Sequence, residues 1–239
     1  MSLVKHIPNT ITSLNLLSGI LGVICAVYSQ PDLALLCMLA AAVFDFCDGL
    51  AARLLKAYSP IGAQLDSLAD MVSFGVLPAL TLMSCMQEQG APVLLCYAPL
   101  FIAVMSAVRL AKFNIDTRQT TDFLGLPTPA NALLCASLTA FVAERPDCFL
   151  ADWAGSIAFI PGLSLILGLM LVSEIPMFGM KVAPGHKLLD TKRIVFLILA
   201  VAAAVCALAV WKSWTLSILL IFSIYVLENL IVSLLPAHK

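Results

Sequence analysis

"FDFCDGLAARLLKAYSPIGAQLDSLAD", residues 44–70, sets four aspartates, Asp45, Asp48, Asp66 and Asp70, among apolar runs in a chain with little other charge. Hydrophobic residues make up 62% of the 239 positions and charged residues 11%, a balance that excludes an ordinary soluble domain and fits a polytopic membrane protein. An ionised aspartate at membrane depth costs about 2.5–3.5 kcal/mol. Four of them within 26 positions therefore require partners.

Working outward, hydropathy places apolar segments at residues 11–28, 33–55, 62–86, 93–110, 128–142, 157–175, 194–210 and 216–235. The expected fold is all-α: a membrane helical bundle of about eight transmembrane helices forming one domain over residues 1–239. The first segment is expected to be a retained span, since no small-x-small cleavage pattern follows it. Counting Lys and Arg on alternate sides puts Lys5, Arg53, Lys56, Arg109, Lys112, Arg118, Lys181, Lys187, Lys192, Arg193 and Lys239 on one face. Only Arg145 and Lys212 fall on the other. The positive-inside rule then predicts both termini in the cytoplasm and an integral protein of the cytoplasmic membrane.

A net charge of −1, with no interleaving of basic and aromatic residues, gives no footing for nucleic acid. The eight cysteines are scattered without a C-x-x-C pair and read as small buried hydrophobes. Gly19 and Gly22 read as positions of close helix packing.

The turn at residues 58–60 makes the second and third helices antiparallel neighbours on the cytoplasmic side. At about 100° per residue, Asp45, Asp48, Gly49, Ala52 and Arg53 share an arc of roughly 140°, and Gly62, Asp66, Ala69, Asp70 and Ser73 one of roughly 100°. Two carboxylate faces thus oppose one another, with small residues leaving room between them. Arg53 balances one charge at most. All-oxygen ligation without nearby His or Cys selects a hard cation, Mg²⁺ or Mn²⁺. Four carboxylates have capacity for two ions, an arrangement suited to phosphoryl displacement. The competing reading is a solvated vestibule of helix-end aspartates, neutralised by Arg53, Lys56 and water.

The same positions spell D-x-x-D-G-x-x-A-R, eight residues, then G-x-x-x-D-x-x-x-D. This pattern resembles the signature of the CDP-alcohol phosphatidyltransferases, integral membrane enzymes that pass a phosphatidyl group from a CDP-linked lipid to an alcohol. "PNTITSLNLLSG" (8–19), "VRLAKFNI" (108–115), "FLGLPTPANA" (123–132) and "LVSEIPMFGMK" (171–181) resemble the bacterial and archaeal members that use serine as acceptor. Lys112 stands where those members usually carry Arg, which keeps the charge and loses a planar fork.

The resemblance implies CDP-diacylglycerol and L-serine as substrates in a lipid membrane, and a homodimer. It implies that Asp45, Asp48 and Asp66 hold the metals, with Asp70 as ligand and general base. It further implies that Gly49, Ala52, Arg53 and Gly62 line the nucleotide and diphosphate site. Asn9 and Thr10 resemble the family's entry motif and are candidates for the nucleotide; a helix N-cap at Thr10 or Thr12 is the alternative. Arg109, Lys112 and Asn114 are candidates for the acceptor's carboxylate or a phosphate, against plain anchoring at the membrane face. Lys181, Lys187, Lys192 and Arg193 read as lipid-surface anchors. Two other functions compete. One is the same chemistry on another alcohol, glycerol 3-phosphate or inositol phosphate; the other is a divalent-cation transporter using the aspartates as its path.

Overall fold

The computed structural model of the chain describes residues 6–115, 123–178 and 191–234. Lys5, Arg118, Lys181, Lys187 and Lys239, which enter the charge count above, lie outside those residues. Each of the eight apolar segments falls on helix. In chain order the helices are α1 (Ile7–Val27), α2 (Pro31–Leu54), α3 (Pro60–Asp70), α4 (Leu77–Glu88), α5 (Val93–Cys96), α6 (Leu100–Ile115), α7 (Thr128–Glu144), α8 (Phe149–Ala154), α9 (Phe159–Val172), α10 (Thr191–Cys206) and α11 (Trp214–Leu234). Among the described residues, six stretches are long and apolar enough to cross a bilayer: Ile7–Val27, Pro31–Leu54, Pro60–Glu88, Val93–Ile115, Arg193–Trp211 and Trp214–Ser233. With 17 and 14 residues, α7 and α9 rise about 25 and 21 Å, short of a full hydrocarbon core of about 30 Å. The protein is a helical membrane protein, as its composition requires.

Local chemistry sets the helix ends that matter. Pro8 and Pro31 sit in the first turns of α1 and α2, where a missing N–H breaks no hydrogen bond. Ser59 caps α3, its Oγ accepting from the Gly62 N–H at 3.0 Å. Between α3 and α4 the chain winds as a π-helix over Met71–Val76, closed by the Leu77 N–H donating to the Val72 carbonyl. Pro78, in the first turn of α4, explains it: without an N–H, and with its ring against the carbonyl four residues back, it disrupts α-type bonding at Phe74. The wider turn re-phases the helix immediately after Asp70.

The bundle is organised around α7, which is buried on every side from Ala130 through Val142. Its Ala, Ser, Thr and Cys side chains let neighbours approach closely. One core packs α1, α2, the π-turn and α4 against α7 through Ala34, Leu35, Met38, Phe74, Leu77, Leu133 and Ala136. The other joins α4, α6, α9, α10 and α11 to it. Both glycine expectations hold in α1: a Cβ on Gly19 would overlap Ser73 Oγ, and one on Gly22 would lie 2.5 Å from Leu77 Cδ2. Leu17, Leu21, Ile24, Val43, Phe46, Ile198 and Val201 face outward, a lipid-facing surface no soluble fold would tolerate. One feature departs from the all-helical expectation, a two-residue antiparallel ribbon pairing β1 (Phe123–Leu124) with β2 (Pro176–Met177).

Candidate metal centre

Asp45 and Asp48 are three residues apart on α2, and the turn through Ser59 returns α3 alongside. Asp45, Asp48 and Asp66 each present one carboxylate oxygen so that all three lie within 4.8 Å of one another. Ionised pairs at that separation repel by roughly 3–4 kcal/mol at an effective dielectric of about 20. Asp48 is buried, and its Oδ2 has no hydrogen-bond partner among the described residues. Nothing lies within 4 Å of a Cβ placed on Gly49, so the face beside Asp48 is open. Three carboxylates, one with an orphaned oxygen, beside open space fit a divalent cation of the Mg²⁺ class.

Asp70 stands outside this triplet, one turn beyond Asp66, with Asp45, Asp66 and Asp48 as electrostatic neighbours. Its Oδ1 accepts from Asn15 Nδ2 at 3.2 Å. The opposed-face expectation therefore holds for three of the four aspartates as a tight group, with Asp70 beside it.

The small residues take distinct parts. A Cβ on Gly62 would sit 2.8 Å from Asn9 Oδ1 and 2.9 Å from Ser59 Oγ, so a glycine there lets the start of α1 approach α3. Ala52 is half-buried and Arg53 exposed, with Arg53 Nε donating to the Gly49 carbonyl at 3.0 Å. Thr10 is exposed, and its hydroxyl donates to the His6 carbonyl. Since α1 starts at Ile7, neither Thr10 nor Thr12 is an N-cap; the Thr12 hydroxyl donates back to the Pro8 carbonyl inside the helix.

The acceptor candidates separate. Arg109 is buried, donates from Nε to the Leu126 carbonyl, and has Asp70 and Tyr225 as electrostatic neighbours. Lys112 is exposed. Asn114 Nδ2 donates to Ser67 Oγ at 2.8 Å, tying the end of α6 to α3 one residue past Asp66. Sequence reasoning missed two members of this surround, Asn15 and Ser67. Asn15 carried a usable signal, being a polar side chain in the buried stripe Pro8, Thr12, Asn15, Gly19, Gly22 and Ala26 at spacings that alternate four and three.

The family description CDP-alcohol phosphatidyltransferase matches residues 5–172. A CDP-diacylglycerol–serine O-phosphatidyltransferase of Mycobacterium bovis is 34% identical over 217 residues, 86% of this chain and 73% of that protein. The enzyme of the same name in Bacillus subtilis is 34% identical over 137 residues, covering 57% of this chain and 76% of its own length. That of Methanocaldococcus jannaschii is 31% identical over 169 residues, 71% of this chain and 72% of its own.

Proposed function

The chain belongs to the CDP-alcohol phosphatidyltransferase family, and on that footing we propose that it transfers the phosphatidyl group of CDP-diacylglycerol to the hydroxyl of L-serine, giving phosphatidylserine and CMP. The observation that carries this reading is the convergence of Asp45, Asp48 and Asp66 from both halves of the signature, with Asp70 alongside. Serine as acceptor is supported by the names of the relatives.

Asp45, Asp48, Asp66 and Asp70 would hold two divalent ions, Mg²⁺ or Mn²⁺, whose chemistry when bound is to neutralise the diphosphate and stabilise charge developing at phosphorus. The chain's own residues do the rest. Gly49, Ala52, Arg53, Gly62, Asn9 and Thr10 line the nucleotide and diphosphate, with Gly49 leaving space for it and Arg53 supplying a cation. Arg109, Lys112 and Asn114 serve the acceptor's carboxylate; Arg109, beside Asp70, is the best placed. Asp70 takes the proton from the serine hydroxyl as that oxygen attacks the lipid-bearing phosphorus. The bond from phosphorus to the CMP oxygen breaks, CMP departs with the electron pair, and the proton remains on Asp70 until water removes it.

We place the reaction at the cytoplasmic face of the cytoplasmic membrane, in a single domain with both termini inside, working as a homodimer. The eleven-to-two distribution of Lys and Arg supports the orientation, and family resemblance supports the dimer. The test supplies membranes containing the protein with CDP-diacylglycerol, divalent metal and labelled serine, glycerol 3-phosphate or inositol phosphate in parallel. Labelled lipid is expected from serine; its absence from the serine arm overturns the assignment.

A further inference from the structure

Asn15 places an amide within an apolar helix, on the one face of α1 that is wholly buried. Packing does not account for it. The register of α1 against the π-turn is held by two contacts that leave the amide unused: Ser73 Oγ donates to the Asn15 main-chain carbonyl at 3.2 Å, and Gly19 lies directly against Ser73. The amide also carries a penalty. Its Oδ1 is buried with no hydrogen-bond partner among the described residues, a loss on the order of 1–3 kcal/mol that an apolar side chain of the same size would avoid.

The other half of the amide is engaged. A carboxylate only accepts hydrogen bonds, so the side facing Asp70 is Nδ2, which donates to Asp70 Oδ1 at 3.2 Å. The terminal torsion of aspartate is broad and roughly two-fold. Without this donor the Asp70 carboxylate is at liberty to turn among its neighbours, whereas productive geometry at a reacting group is held to about 10–20°.

We propose that Asn15 is a positioning residue for Asp70: its amide fixes Oδ1 and leaves Oδ2 as the oxygen that receives the acceptor's proton. This inference rests on the reading of Asp70 as general base given above. It assigns a role to a residue 55 positions away in sequence, on a helix that contributes no carboxylate to the centre.

The full-length enzyme in detergent or nanodiscs tests it. Asn15→Leu, with the same branching and without a donor, is expected to lower kcat by 10- to 100-fold, with KM for CDP-diacylglycerol and calorimetric affinity for CDP with Mn²⁺ within about threefold of the parent. Its thermal midpoint is expected to change little, since the orphaned Asn15 oxygen is gone while Asp70 Oδ1 loses its donor. Ser73→Ala, which loosens the same two segments without touching the amide, is expected to keep kcat within about twofold. The proposal is overturned if Asn15→Leu keeps kcat within about threefold. It is equally overturned if kcat, CDP affinity and thermal midpoint fall together, or if Ser73→Ala loses as much activity as Asn15→Leu. Should the leucine variant not accumulate, Asn15→Ala is read by the same criteria. Failure of the underlying reading is seen separately, in full turnover by Asp70→Asn or in no lipid product from serine with the parent enzyme.

Discussion

Two clusters of carboxylate chemistry sit at opposite ends of the bundle and are built in opposite ways. Near the turn between α2 and α3, Asp45, Asp48 and Asp66 crowd their oxygens within 4.8 Å while Oδ2 of Asp48 has no hydrogen-bond partner among the described residues. At the far end of α7, Glu144 Oε2 accepts from Ser213 Oγ at 2.8 Å and from the Thr215 hydroxyl, and Ser213 in turn caps the Leu216 N–H. Arg145 beside it donates to the Trp211 carbonyl at 2.8 Å, tying α7 to the turn before α11. Glu144 is satisfied by the protein and fastens helices. The aspartates crowd carboxylate against carboxylate beside the open face at Gly49, which is the condition for a cation to join them.

If that contrast is right, substitutions at the two ends fail differently. The largest effect belongs to Asp70→Asn, which keeps the volume and removes the base. Turnover measured by CMP release is expected to fall by at least about 10³-fold, with CDP affinity in Mn²⁺ within about threefold of the parent. Asp45→Ala comes next: the midpoint for activation by Mn²⁺ is expected to rise about 10-fold or more. Because it removes a carboxylate from a mutually repelling group, the metal-free thermal midpoint should hold level or increase. A clear drop in metal-free stability would erase the distinction between the two ends.

How much of this was legible depended on how far apart in the chain the partners lie. The aspartate centre was readable because its faces belong to consecutive helices joined by a short turn, so helical spacing alone opposes them. Asn15 was not, although its stripe on α1 was visible. Knowing that the stripe meets Asp70 requires that α1 pack onto α3, and nothing in either segment specifies that pairing. Asn114 shows what spacing leaves out: a polar residue at the end of α6 reads as a ligand group, and its amide also ties α6 to α3 through Ser67. Hydropathy also could not separate α7, buried all round, from helices with a lipid face, since both are apolar; its run of small side chains was the available signal. The β1–β2 ribbon joins residues 52 to 54 positions apart over two pairs, too short for any period-two pattern.

The smallest effect tests the satisfied end. Glu144→Ala removes the acceptor shared by Ser213 and Thr215 and leaves two hydroxyls without it, one of them on the residue that caps α11. A loss of about 1–3 kcal/mol is expected in denaturant unfolding. Since α7 reaches both cores, the loosening should be felt as a lower thermal midpoint of the whole bundle. Activity below that midpoint, and the Mn²⁺ requirement, should stay within about twofold of the parent. Glu144→Gln retains an acceptor oxygen and should recover most of the stability. That recovery, set beside an Asp45→Ala enzyme that is stable but starved of metal, would show that acidic side chains fasten this membrane protein at one end and bind its cation at the other.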